Sequence, residues 1–157
     1  MVLKFAAAAA AIAVAFALIR LGSMKTTSRI EADKALLAAA PVQPGSTVVR
    51  EYLRTEGNVV WRGRQYATDL ALPEAATTVT QFYNDKLTAA GWQVIDHQAA
   101  LSTYSRGSDR LALGSIGADL PEASRDKRVI QDVRPPSSAR YYYGVEVSSG
   151  AATEAPK

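Results

Sequence analysis

Hydrophobic and polar positions follow three different rules along this chain. From Phe5 to Ile19 the residues are uncharged and dominated by alanine, with Lys4 closing the run on one side and Arg20 on the other. Ser28–Ala40 reads as a short helix of good helix formers, with Ile30, Leu36 and Leu37 as its large apolar residues, and Pro41, Pro44 and Gly45 break it. Beyond that point the pattern turns extended. Thr47–Arg54 and Val59–Leu72 are rich in Val, Tyr, Trp and Thr and flank the turn signal Glu56-Gly57-Asn58, which predicts a β-hairpin.

A helix follows. Pro73 stands at a first helical position, and Val79, Phe82, Tyr83, Leu87 and Ala90 trace one helical face. Gly91 sits where a left-handed residue ends a helix, and Trp92 can fold back on Leu87 in a Schellman-type stop. Trp92–Asp96 then reads as a short strand, and Leu101–Ser105 with Arg110–Ile116 as a second hairpin around Arg106-Gly107-Ser108-Asp109. In the last strand, Arg140–Ser148, alternation places Tyr141, Tyr143, Val145 and Val147 on one face, expected to lie under the helix, with Tyr142, Glu146 and Ser148 on the other. Gly117–Ala139, with Pro121, Pro135 and Pro136 and no periodicity, reads as a long loop. The expectation is an α+β domain of order β-β-α-β-β-β, an antiparallel sheet with one helix across a face.

The leading run changes the setting of that domain. As a helix, Phe5–Ile19 reaches ~22 Å and Val2–Leu21 ~30 Å, about one hydrocarbon thickness. A secretory signal peptide shares the basic start and apolar core but also wants a small-residue cleavage site just beyond, and no clean one follows Ile19. The reading is therefore a transmembrane anchor, or uncleaved signal, over residues 1–21. A juxtamembrane stalk or linker follows over 22–45, then the α+β domain over 46–148 and a disordered tail over 149–157. The short basic start favours an extracytoplasmic domain, although Arg20, Lys25, Arg29 and Lys34 after the run weigh the other way under the positive-inside rule.

The formal charge of +3 would suggest a nucleic-acid binder if it were spread over the chain. It is confined to the first 40 residues, where five basic residues face Glu31 and Asp33, while residues 41–157 hold 13 basic and 13 acidic side chains. Such a distribution suits anionic lipid headgroups near the anchor and speaks against nucleic acid as a partner. The chain has no cysteine, which removes disulfides, thiolate nucleophiles and an acylated lipoprotein anchor.

Phe82-Tyr83-Asn84-Asp85-Lys86-Leu87 through Gly91-Trp92 forms the pattern F-Y-x3-L-x3-G-W between paired strands and a following strand. It resembles a segment of small extracytoplasmic α+β domains in uncharacterised bacterial lipoproteins and membrane-anchored proteins. The chain departs from the lipoprotein members in lacking the acylated cysteine. The resemblance implies a location and a fold, and it carries no catalytic residues over.

The inventory for chemistry is thin. His97 is the sole histidine and reads as an exposed strand-end residue that alternation turns away from Asp96. One histidine without cysteine does not make a zinc site, so no metal or other cofactor is expected. Asp69, Asp96, Asp109, Asp119 and Asp132 are dispersed, and Gly107, Gly114 and Gly117 follow no phosphate-loop template. Two groups fit binding better. Arg62, Arg64 and Tyr66 share one strand face, and Arg140 and Tyr142 stand in the run Arg140-Tyr141-Tyr142-Tyr143; both supply the arginine and tyrosine favoured at interfaces. The function expected is a single-pass, membrane-anchored interaction or accessory module without catalytic activity, with an envelope protein as partner. The alternatives are a small-ligand carrier or sensor binding between helix and sheet, or an enzyme acting on an envelope polymer.

Overall fold

The computed structural model describes residues 27–57, 59–98, 100–118, 127–133 and 136–150. The chain divides into two compact units, Met1–Ala32 and Asp33–Lys157. The first is described only over residues 27–32, which are helical; the expected anchor, residues 1–21, lies outside the described residues. None of the described helices is long and apolar enough to cross a membrane.

The second unit is an α+β domain built on one antiparallel sheet. Helix α1 is described over residues 27–39, and α2 spans Glu74–Ala89. The strands are β1 (Thr47–Glu56), β2 (Val59–Thr68), β3 (Gln93–Gln98), β4 (Leu101–Arg106), β5 (Asp109–Gly117), β6 (Lys127–Asp132) and β7 (Tyr141–Ser148). Their order across the sheet is β3-β4-β5-β7-β2-β1-β6. Strand β7 thus joins two locally formed parts, the meander β3-β4-β5 and the β1-β2 hairpin with β6 on its outer side.

Local chemistry explains the most regular pieces. In α2 the residues Ala75, Val79, Tyr83 and Leu87 recur every fourth position and are all buried. The helix stops as its sequence predicts. Gly91 takes φ +81°, the Trp92 amide donates to the Leu87 carbonyl at 2.9 Å and the Gly91 amide to that of Thr88 at 3.0 Å, which is the double bond pattern of a Schellman motif. Trp92 is thereby buried, and Arg106 lies over its ring at 4.7 Å. Ala90, expected on the apolar face, is exposed because the helix has already ended there.

The alternation of β7 holds. Tyr141, Tyr143, Val145 and Val147 form the core with Tyr66, Tyr104, Leu111 and Leu113 from neighbouring strands, the apolar stripe of α2, and Leu37 of α1. The Tyr66 and Tyr143 rings stack at 5.1 Å, and Tyr83 meets Tyr143 edge-on at 5.8 Å.

Three expectations are corrected. Among the described residues the sheet has seven strands, more than the five of the formula β-β-α-β-β-β and one more than the six segments read as extended. The additional strand, β6, lies inside the stretch expected to be loop, and pairs with β1 from Arg50↔Asp132 to Arg54↔Lys127. Part of the expected stalk belongs to the domain: Leu37 is in the core, and Asp33 accepts hydrogen bonds from the Ser149 amide and hydroxyl, both at 2.6 Å. Ser149 in turn opens the stretch read as a tail. Four strands each carry one extra residue that interrupts the pairing, Val49 in β1, Ile95 in β3, Ile116 in β5 and Ile130 in β6. The bulges at Ile95 and Ile130 fall on the two edge strands, where such irregularities discourage pairing with another sheet.

Two outcomes test this packing. Gly91→Ala should lower unfolding free energy by roughly 1 kcal/mol in urea titrations through strain at positive φ, with Gly91→Asn losing less. Burial, foremost, raises the hydroxyl pKa of Tyr66, Tyr83, Tyr104 and Tyr143. These groups keep their protons in the fold when the unfolded chain would lose them, so their contribution is intact below pH ~10 and is lost as pH rises above it. Tyrosinate absorbance should therefore appear together with loss of near-ultraviolet circular dichroism; full ionisation with the fold intact would contradict the burial.

Candidate functional site

Among the described residues both helices pack on one face of the sheet, and on the other, helix-free face polar groups and a cavity coincide. Pairing fixes its rows. Thr103, Ala112, Glu146, Gly63, Tyr52 and Val129 stand in one line across six strands, and Leu101, Gly114, Gly144, Gln65, Arg50 and Asp132 in the next. The middle of this face therefore holds Gly63, Ala112, Gly114 and Gly144 beside Glu146 and Gln65. Apolar side chains flank it, with Leu101 and Val129 both exposed.

Tyr52 occupies the space that Gly63 leaves. A Cβ at position 63 would overlap Cζ of the Tyr52 ring, so only glycine fits beneath it. From there the Tyr52 hydroxyl donates to Glu146 Oε1 at 2.8 Å. Arg54 holds the same carboxylate from the other side, with Nε at 3.0 Å and Nη2 at 2.6 Å from Oε2. Its Nη1 donates to Glu56 at 2.7 Å, and its guanidinium lies 5.4 Å from the centre of the Trp61 ring. Arg50 Nε donates to the Oε1 of buried Gln65.

The electrostatics follow from this geometry. Burial first, and the Glu146 charge second, push the Tyr52 hydroxyl pKa far up, so it serves as a donor throughout the physiological range. Burial works to lower the Arg54 pKa, but its hydrogen bonds to the Glu146 and Glu56 carboxylates outweigh it and hold the guanidinium charged. Arg54 thus serves two carboxylates, and Arg50 adds a second positive charge that acts on Tyr52.

A cavity of about 330 Å³ opens beside this network. Its floor is Ala112, Gly114 and Gly144; Leu101 and Ile116 line it as well as Tyr52, Arg54 and Glu146. The space between α2 and the sheet is far smaller. There a cavity of about 40 Å³ lies against Val79, Ser102, Ser115 and Tyr141, and its volume is on the scale of one or two waters.

The residues singled out from sequence do not form one surface. Arg62, Arg64 and Tyr66 do share a strand face, but it is the face of the core. Tyr66 is fully buried, Arg62 is largely so, and Arg64 Nε donates to Glu51 at 2.6 Å. Tyr142 lies half-buried on the opposite, helix-free face, and Arg140 is exposed at the start of β7 with its amide on the Thr68 carbonyl at 2.9 Å. His97 is exposed, as expected, and its Nδ1 lies 2.8 Å from Ser102 Oγ; Asp96 instead accepts from Gln98. Among the described residues no group of three or more His, Asp or Glu could hold a metal ion. Sequence reasoning missed Tyr52, Arg54 and Glu146. The available signal was Tyr52 and Arg54 alternating on a strand whose hairpin partner carries a glycine, Gly63.

No family model matches the chain, and no curated protein or solved structure matches it either.

Gly63→Ala should destabilise the protein by about 1–3 kcal/mol through overpacking. In a Tyr52→Ala background most of that penalty should vanish, because the ring that the new methyl would strike is gone. A double-mutant cycle by chemical denaturation measures this, and additive effects would separate Gly63 from Tyr52. Tyr52→Phe alone should cost about 1–2 kcal/mol for the lost bond to a charged acceptor.

Proposed function

We propose that this chain is a non-catalytic interaction module. Residues 1–21 tether it as a single membrane pass, the domain stands on the extracytoplasmic side, and an envelope protein docks on the helix-free face of the sheet. The observation that carries this reading is the make-up of that face, where exposed Leu101 and Val129 flank a charged centre whose side chains are fixed by the Tyr52–Glu146–Arg54–Glu56 bonds. A surface with ordered polar groups and apolar flanks meets a partner at low entropic cost. The carboxylates and the arginine at the centre are engaged with one another, which favours recognition over proton transfer. The small-ligand reading moves to the same face, because the cavity there is about 330 Å³ against about 40 Å³ between helix and sheet.

Site-specific photo-crosslinking in intact cells tests the docking surface. A photoreactive residue at Leu101 or at Val129 should give one discrete adduct, while Gln81 and Asp85 on the exposed side of α2 should give none. Adducts from the α2 positions alone would reject the helix-free face. Protease added to spheroplasts should digest the domain without membrane rupture; protection until rupture would reverse the orientation.

A further inference from the structure

Gly114 and Gly144 stand directly opposite each other in the middle of the β5–β7 pairing. Neither has a positive φ. A Cβ at Gly114 would meet nothing within 4 Å among the described residues, and one at Gly144 would meet only ordinary contacts, 3.5 Å to the Tyr52 hydroxyl and 3.7 Å to Ile116 Cδ1. The fold therefore requires glycine at neither place, in contrast to Gly63 under the Tyr52 ring. A glycine inside a strand nevertheless costs roughly 0.5–1 kcal/mol relative to alanine. Two such glycines side by side, at the floor of a cavity, leave bare backbone where a ligand can approach closely.

The walls say what kind of ligand. At Gly114 and Gly144 the floor is peptide backbone without side chains, Leu101 and Ile116 add apolar contact, and the cavity volume of about 330 Å³ lies at the low end for small-ligand sites. At the other side Arg54 is one cation against Glu146 and Glu56, and the Glu56 side chain is 68% exposed, so it can accept further hydrogen bonds. We propose that this cavity is a binding site for a flat ring bearing a cationic group, with the ring on the Gly114–Gly144 backbone and its amidinium, guanidinium or ammonium turned to Glu56 and Glu146. The inference rests on the helix-free face being the contact surface, and adds the chemistry that this face selects.

Benzamidine, benzamide and benzoate have nearly the same shape and differ in charge, so they test the site directly. In amide nuclear magnetic resonance titrations of the full chain in detergent micelles, benzamidine should shift Ala112, Gly114 and Gly144 and bind at least tenfold more tightly than the other two. Gly114→Ala should keep or raise the melting temperature and weaken benzamidine at least tenfold, and Gly144→Ala should do the same. Shifts scattered over the surface, equal response to benzoate, or unchanged affinity in both alanine variants would overturn the proposal. A free ligand and a partner's aromatic and basic side chains share this chemistry. A capped phenylalanyl-arginine dipeptide binding more tightly than benzamidine assigns the site to a partner chain, and the reverse assigns it to a free ligand. If benzamidine fails while crosslinks from Leu101 and Val129 persist, the ring site falls and the docking face stands. If benzamidine binds while those crosslinks are absent, the docking face falls and the site stands.

Discussion

Strand β7 is hydrogen-bonded along both edges, to β5 from Arg110↔Ser148 to Gly117↔Tyr142 and to β2 from Arg62↔Val147 to Thr68↔Tyr141. Without it the meander β3-β4-β5 and the hairpin β1-β2 share no ladder. Its two faces carry different tasks. Tyr141, Tyr143, Val145 and Val147 are buried toward the helices, each contributing about 1.5–3 kcal/mol of burial as an upper estimate. Gly144 and Glu146 point the other way and make the floor and the anion of the candidate site. One strand thus fixes the core and positions the site, with the period of two keeping the tasks apart.

The helix-free face depends on this arrangement in a second way. Glu146 is largely taken from water beside the Tyr52 hydroxyl, with its side chain only 13% exposed, and a carboxylate so placed needs its partners held in position. Arg54 and Tyr52 come from β1, two strands away, so the carboxylate is satisfied only when β7, β2 and β1 are in register. The bare glycines beside it sit in the same ladder. Bulges at Ile95 and Ile130 break the regular pairing of both outer strands, which discourages edge-to-edge pairing with another sheet.

What the sequence made legible were signals that act locally. The apolar stripe of α2, the Gly91-Trp92 stop, the β1-β2 turn and the alternation of β7 are decided within a few residues, and each appears as read except that Ala90 falls past the helix end and is exposed. The helical character of the segment around Leu37 was equally visible. Its burial was not, because one leucine and one aspartate in an alanine-rich helix show no apolar stripe. Strand β6 was hidden because the bulge at Ile130 breaks its alternation and prolines surround it. The Arg62, Arg64 and Tyr66 group illustrates a further limit: alternation shows that the three share a face, while tertiary packing decides which face receives the helices. Glu146 lies 94 residues from Tyr52, and only the sheet order brings it to the β1-β2 hairpin.

Native-state hydrogen exchange tests the central role of β7 most directly. The amides of Tyr143, Val145 and Val147 should be among the slowest in the chain and should exchange only through global unfolding, with a free energy equal to that from denaturant titration. Exchange of these amides at a much lower free energy, with the β1-β2 hairpin still protected, would show that the hairpin stands without β7 and would contradict the account.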